Sequence, residues 1–162
     1  MHTTDNRKII GRAAELTFTD FSTVPIPAKI DTGAYRSAVH ASGIHVDEDG
    51  VLHFCICGGH SVCADAAFES STSEYKVVDI ENSFGDHEDR YEVKLRIKIG
   101  DEEYITPFTL ANRQQKIYPI LLGRIALKHR FLVDIDKTDV DRAALKAAFA
   151  INLPSDEDKD ED

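Results

Sequence analysis

A single aspartate, Asp31, stands where a carboxylate has the freedom to do chemistry. It opens the triplet Asp31-Thr32-Gly33 and directly follows Ala28-Lys29-Ile30, a β-branched strand end. Gly33 permits close backbone approach, so the carboxylate projects from a tight loop that can face a second loop of the same kind. Two carboxylates about 3 Å apart cannot both ionise and share one proton. One then serves as base toward a bridging water and the other as acid toward a carbonyl. The pair titrates as a unit. Thr32 is expected to hydrogen-bond across the loop pair, and the Gly33 N–H to hold the carboxylate. The bland alternative for the same three residues is an Asx-type turn in a protein that catalyses nothing.

A second group of chemically able residues is Cys55, Cys57, His60 and Cys63. Three thiols and an imidazole suit tetrahedral zinc in softness and number. Their spacing is not that of a common finger or knuckle, and cysteine packs readily in cores as a small hydrophobe. The structural reading is preferred, and a zinc-binding protein built on these four residues is kept as an alternative. An odd number of cysteines crowded into residues 55–63 is a poor disulfide framework and fits a reducing compartment, so no disulfide is expected. The string His87-Glu88-Asp89-Arg90-Tyr91 lacks the second His of a zinc protease, and no G-x-x-x-x-G-K-[ST] cradle for ATP is present. No metal or cofactor is expected. His40 and His45 are read as structural.

The elements that must position Asp31 are short strands separated by turn residues. Strands are expected over residues 8–19, broken near Gly11, then at 28–30, 37–40, 43–46, 51–57 and 61–68, the last two joined at Gly58-Gly59, a hairpin signal. Two longer strands, 74–80 and 91–99, flank residues 82–86 and form an extended hairpin, and another covers 104–110. After Tyr118-Pro119 come the apolar run Ile120-Leu121-Leu122, Gly123, a short helix over 124–130 and a last strand at 131–135. Residues 139–150 have helical composition, with Thr138 or Asp139 as the cap. Residues 1–7 are expected to be a flexible N-terminus, 8–153 one domain and 154–162 a disordered acidic tail.

With these residues in view, Ala28-Lys29-Ile30-Asp31-Thr32-Gly33-Ala34 and Ser37-Ala38-Val39-His40-Ala41 together resemble the bacterial retropepsin-like aspartic peptidases commonly labelled ATP-dependent zinc proteases. The likeness continues at Ile9-Ile10-Gly11-Arg12, at Phe108-Thr109-Leu110 with Asn112-Arg113, and from Tyr118-Pro119-Ile120-Leu121-Leu122-Gly123-Arg124 through Phe131-Leu132-Val133-Asp134. It implies an all-β, retropepsin-like acid-protease closed barrel with a short helix after Leu121-Leu122-Gly123-Arg124 and a terminal helix. It also implies that Asp31 from two protomers of a homodimer forms the active site, and that Ser83, Phe84 and Gly85 belong to a flap over the substrate. The substrate is then a peptide or protein, glutamyl tails included, with a functional link to an ATP-grasp glutamate ligase. Tyr35, Arg36 and Val39 depart from the usual pattern, which bears on specificity. A retropepsin-like module that binds peptides without cleaving them is the main rival. Arg124 is read as a structural residue in a buried bidentate ion pair, and Asp134 as a strand-end structural acid.

Bulk properties agree with this. The chain has 162 residues, enough for one sizeable core, and carries a formal charge of -10. Six acids and one lysine fall in residues 156–162, so the tail supplies half of the charge. Nucleic acid is an unlikely partner for so acidic a chain. No run approaches the roughly 20 apolar residues of a membrane span, and the N-terminus lacks a secretory h-region, so a cytoplasmic protein is expected.

Overall fold

The computed structural model describes residues 5–82 and 84–149. Ser83, most of the expected N-terminal segment 1–7 and the acidic tail 154–162 therefore lie outside the described residues. Eleven described strands are formed: β1 (Lys8–Ile10), β2 (Ala13–Leu16), β3 (Ile26–Ile30), β4 (Ser37–Val46), β5 (Leu52–Ile56), β6 (Phe68–Thr72), β7 (Lys76–Glu81), β8 (His87–Ile99), β9 (Glu102–Ala111), β10 (Ile120–Leu122) and β11 (Phe131–Val133). Two helices, α1 (Arg124–Leu127) and α2 (Arg142–Phe149), complete the fold.

Side-chain alternation explains the strands, because successive residues of a strand face opposite sides. In β3, Ile26, Ala28 and Ile30 are buried while Pro27 and Lys29 are half-buried. In β8, Val93, Leu95, Ile97 and Ile99 point inward. These faces meet Phe18, Leu52, Ile56, Phe108, Ile120 and Leu122 in one core. Phe18 and Phe108 cross edge to face at 5.6 Å, the arrangement the ring quadrupoles favour.

The main sheet runs β2-β3-β10-β4-β9-β8-β7, with β5 and β6 continuing from β4. The short β10 is the keystone: it lies parallel to β3 and antiparallel to β4, which brings the residues after Leu122 against those after Ile30. A separate parallel pair joins β1 to β11. The all-β class agrees with the sequence reading, but the described strands form no closed ladder. The two flanks of the sheet meet only where Thr17 and Lys98 exchange N–H···O bonds of 3.0 and 2.9 Å. Pairing stops there because residues 18–22 turn away, with Phe21 and Ser22 amides donating to the Phe18 carbonyl.

Several boundaries differ from expectation. Residues 37–40 and 43–46 form the single strand β4, whose register shifts between Ser42 and His45. Residues 61–68 are not a strand; they hold a 3-10 turn at Ala64–Ala66, and β6 starts at Phe68. The Gly58-Gly59 hairpin is absent because Cys57 and Gly59 both adopt positive φ, 63° and 78°, which folds the chain into a compact loop. Helix α2 starts later than expected: the Asp141 carboxylate accepts the Ala144 N–H at 3.2 Å and acts as its cap. Thr138 instead accepts the Val140 N–H in the turn before it. No helix among the described residues is long and apolar enough to cross a membrane.

Candidate active site

Asp31 leaves β3 where that strand loses its neighbours, and main-chain bonds fix its place. The Ile30 N–H donates to the Arg12 carbonyl at 3.0 Å and the Asp31 N–H to the Leu122 carbonyl at 2.9 Å. Asp31 is half-buried as a residue, and its Oδ1 accepts the Gly33 N–H at 2.9 Å. The chain then turns back, the Ala34 N–H donating to the Asp31 carbonyl at 3.3 Å.

The block after β10 closes over this loop. Amides at the start of a helix lack intrahelical partners. Here the Arg124 and Ile125 amides donate to the Ala34 and Tyr35 carbonyls at 2.8 and 3.1 Å. Gly123 makes the approach possible: a Cβ there would lie 2.9 Å from the Ala34 carbonyl oxygen and closer still to that of Arg36. The Gly123 N–H donates to the buried Ser37 hydroxyl at 3.1 Å, and the Ser37 carbonyl accepts the Thr109 hydroxyl at 3.1 Å. The Asp31 loop, β10, α1 and β9 are thus one hydrogen-bonded unit.

Arg124 does not make the expected buried ion pair. It is exposed, donates from Nη1 to the Thr32 carbonyl at 3.1 Å and lies over the Tyr35 ring at 5.7 Å. Thr32 and Gly33 are themselves exposed. Asp134 is bound into the turn after β11, its Oδ1 accepting the Asp136 N–H at 3.0 Å.

A cleft of about 410 Å³ opens between the Asp31 loop and the β7–β8 hairpin, with Gly33, Tyr35 and Arg36 on one wall and Asp79, Glu81 and Arg90 on the other. Arg36 is held by an ion pair with the buried Glu92, which Lys76 also approaches at 3.4 Å. At the hairpin tip the Asn82 side chain accepts the Phe84 and Asp86 amides at 2.9 and 3.0 Å. Gly85 takes a φ of 82°, and Phe84 is 89% exposed. The hairpin residues that line the cleft are those on the strands, Asp79, Ile80, Glu81 and Arg90. Sequence reasoning missed them, although their place opposite a turn centred on residues 82–86 was a usable signal.

The cysteine and histidine group is arranged differently from either expected form. Cys57 and Cys63 form a disulfide, and Cys55 is a half-buried free thiol. The expectation of no disulfide is thereby corrected, and the cysteines no longer argue for a reducing compartment. Cys57 and Cys63 meet because the positive φ of Cys57 reverses the chain, a turn that composition does not reveal. Buried His60 accepts the Val62 N–H on Nδ1 at 3.1 Å and donates from Nε2 to the Lys116 carbonyl at 2.9 Å. Buried His40 accepts the Arg113 N–H on Nδ1 at 2.9 Å and donates from Nε2 to the Gly58 carbonyl at 2.8 Å. Burial pushes both imidazoles below the usual histidine range. With both sulfurs bonded and both nitrogens of His60 engaged, the four candidate zinc ligands do not converge on a point. Among the described residues no three metal-ligating side chains cluster.

Residues 9–143 match the family model described as retropepsin-like aspartic endopeptidase RimB. Curated relatives include a probable alpha-L-glutamate ligase of Shewanella pealeana, 32% identical over 133 residues, covering 80% of this chain and 29% of the relative. A second, from Desulfotalea psychrophila and bearing the same description, is 28% identical over 131 residues and covers 79% of this chain and 28% of its own. This chain therefore spans less than a third of the curated relatives it matches. Among solved structures, a Legionella pneumophila protein of unknown function superposes with a TM-score of 0.63 at 26% identity, covering 81% of this chain and 95% of that one.

Proposed function

The chain belongs to the RimB-like family of retropepsin-like aspartic endopeptidases, and from that premise we propose that it hydrolyses peptide bonds with Asp31 as its catalytic carboxylate. The observation that carries this reading is the Asp31 loop, which the Leu122-Gly123-Arg124 element, Ser37 and the Gly33 N–H hold while Asp31 itself stays only half-buried and the loop residues Gly33 to Arg36 line a cleft. The main chain at Ile30 and Asp31 is fixed by the Arg12 and Leu122 carbonyls, while the carboxylate accepts one amide and keeps the rest of its acceptor capacity.

One Asp31 supplies half of a dyad, so the active species is a homodimer. Its ionised carboxylate takes a proton from water as the water oxygen bonds to the peptide carbonyl carbon, while the protonated partner gives its proton to the carbonyl oxygen. The tetrahedral species then breaks its C–N bond as a proton passes to the leaving nitrogen. Exposed apolar side chains on the flank of the Asp31 loop support the dimer: Tyr35 on the loop itself, Ile9 and Leu132 as register partners in β1 and β11, and Ile135 just beyond. The β7–β8 hairpin, including Ser83, Phe84 and Gly85 at its tip, serves as the flap. Glutamyl tails fall within the substrate range because curated relatives are described as glutamate ligases, and a working link to such a ligase follows.

The test is cleavage of a peptide library, with and without glutamyl extensions, by the native chain and by Asp31→Asn. Cleavage that disappears in the variant, together with a dimer in sedimentation, is the expected result. An unchanged cleavage pattern, or binding without cleavage by a strictly monomeric chain, would instead make this a peptide-binding module.

A further inference from the structure

A second cavity, about 780 Å³ in volume, adjoins the Asp31 loop, with Thr32 and Tyr35 at its edge. Its floor is apolar, built from Ile125, Leu127, Phe131 and Val133. The charged groups around it are Arg7, Arg124, Lys128 and Arg130, with His129 beside them and no acid in the lining. Arg7 is paired with Asp5 at 2.6 Å. Arg124 donates to a carbonyl and Arg130 lies 3.9 Å over the Tyr104 ring. Neither these two nor Lys128 meets a carboxylate among the described residues. The turn that carries them is fixed, because the Lys128 and Arg130 amides donate to the Arg124 and Leu127 carbonyls at 2.8 and 3.2 Å, and His129 between them takes a φ of 71°. A non-glycine residue keeps that conformation only where its surroundings impose it.

Cations without carboxylate partners around an apolar floor create a field that concentrates a ligand of opposite charge. The cleft has no such field, because Asp79 and Glu81 share its lining with the arginines. The two spaces share a wall: Tyr35 lines both, and the guanidinium carbons of Arg36, on the cleft, and Arg124, on the cavity, each lie 5.7 Å from its ring. The apolar face that supports a dimer is a different one. Phe131 and Val133 line the cavity, so Leu132 between them, with its register partner Ile9, points to the other side of the β1–β11 pair. Nucleic acid is a poor occupant, since a phosphate backbone is held by a long track of cations and this rim is short on a chain of charge -10. A glutamate-rich peptide matches both features, because each glutamate offers a carboxylate to the rim and a methylene stem to the floor.

We propose that this cavity is a docking site, separate from the cleft, for a glutamate-rich segment of the peptide that the cleft receives. Lys128, Arg130 and Arg124 meet its carboxylates, and the segment runs on past Tyr35 into the cleft. The role in substrate selection rests on the reading of Asp31 as the catalytic carboxylate, but the binding does not, and it is measured without cleavage.

The test uses the full chain carrying Asp31→Asn and a fluorescent hexaglutamate peptide, with anisotropy as the readout. Lys128→Glu on that background is expected to weaken binding about tenfold or more, and Lys94→Glu, an equal charge change on β8, less than about twofold. Lys128→Arg keeps the charge and should bind within about threefold of its parent, which separates lost recognition from a lost fold. Affinity should fall about tenfold or more between about 0.05 and 0.5 M salt. Hexa-aspartate, one methylene shorter in each side chain, should bind about threefold or more weakly than hexaglutamate. No binding at roughly 1 mM peptide overturns the proposal. So does equal weakening by the two charge reversals, or hexa-aspartate or an oligothymidylate of equal charge bound as tightly as hexaglutamate. A native chain that cleaves glutamyl peptides with a KM unchanged by Lys128→Glu also overturns it and leaves the Asp31 reading standing. Hexaglutamate binding that depends on Lys128, in a native chain that cleaves nothing, would sink the Asp31 reading and leave the docking site in place.

Discussion

The Asp31 loop and the block formed by His40, His60, Cys57 and Cys63 both gather residue types capable of chemistry, and they dispose of that capacity in opposite ways. In the block every valence is used inside the fold: both sulfurs in a disulfide, both nitrogens of each imidazole on main-chain groups. In the loop the main chain does the holding, and the Asp31 carboxylate accepts one amide and keeps the rest of its acceptor capacity. A reactive residue becomes a site when the surrounding bonds fix its position without consuming it. Where they consume it, the residue is part of the framework.

The largest effect that could break this contrast is in activity. Asp31→Asn is expected to lower cleavage by about 10³-fold or more, within the range that positioned acid–base groups supply. Its thermal midpoint should stay near that of the native chain, since the amide oxygen can still accept the Gly33 N–H. Comparable losses of stability and activity in that variant would mean that Asp31 is framework after all.

Gly123→Ala comes next. The added Cβ meets the Ala34 and Arg36 carbonyl oxygens, which are main chain and cannot swing aside, so the loop or β10 must shift. About 2–3 kcal/mol of stability should be lost, as for other overpacked sites, and chemical denaturation measures it. Activity should fall further than stability accounts for, because the shift is applied directly to the residues beside Asp31.

These two positions also show why this part of the molecule was legible in the sequence. Gly123 is required by close main-chain approach, whereas a Cβ at Gly33 would meet only the Asp31 carboxylate, at 3.2 Å; both requirements are local and leave a local pattern. The period-two alternation of β3, β8 and β9 was legible for the same reason. The cysteine loop was not: its form depends on Cys57 taking a positive φ and on partners 56 and 73 positions away, Lys116 for His60 and Arg113 for His40. Nothing within residues 55–63 states that those partners exist. The cleft wall from β7 and β8 was missed because alternation tells which side chains share a face, not which face leans over Asp31. Arg124 was misjudged because its partner is the Thr32 carbonyl, which no side-chain pattern advertises.

Within the framework block, Cys63→Ser removes the disulfide. A loop this short gives an entropic stabilisation of about 2 kcal/mol, and that is the loss expected in denaturation of the variant against the oxidised chain. A dithiol reductant should produce the same loss in the native chain and none in the variant. Cleavage should survive, since among the described residues the loop's bonds run to His40 and to the segment of Arg113, Gln114 and Lys116, not to Asp31, Thr32 or Gly33.

Acidification separates the regions by a smaller effect. Burial lowers the folded pKa of His40 and His60 from the usual 6.5, so below about pH 6.5 the unfolded chain binds protons that the folded chain refuses. The stability these neutral rings contribute is complete above pH 6.5 and is lost as the pH falls toward their folded values. The thermal midpoint should therefore decline on that side. His40→Asn, whose side-chain oxygen can accept the Arg113 N–H in place of Nδ1, should flatten the decline; an unchanged slope would place the acid sensitivity elsewhere.

The smallest effect is at the hairpin tip. Asn82→Ala removes the acceptor of the Phe84 and Asp86 amides, but both lie in an exposed turn where water can replace it, so global stability should drop by no more than about 0.5–1 kcal/mol. Among the described residues the tip is joined to the rest of the fold through the β7–β8 ladder, so loss of its internal bonds should appear as local opening. Hydrogen exchange is expected to quicken at Phe84 and Asp86 and along β7, with no change at Asp31, Gly33 or His40. Quickening at Gly33 as well would mean that the hairpin supports the Asp31 loop in the single chain, and the loop would no longer count as a unit held by β10, α1 and Ser37 alone.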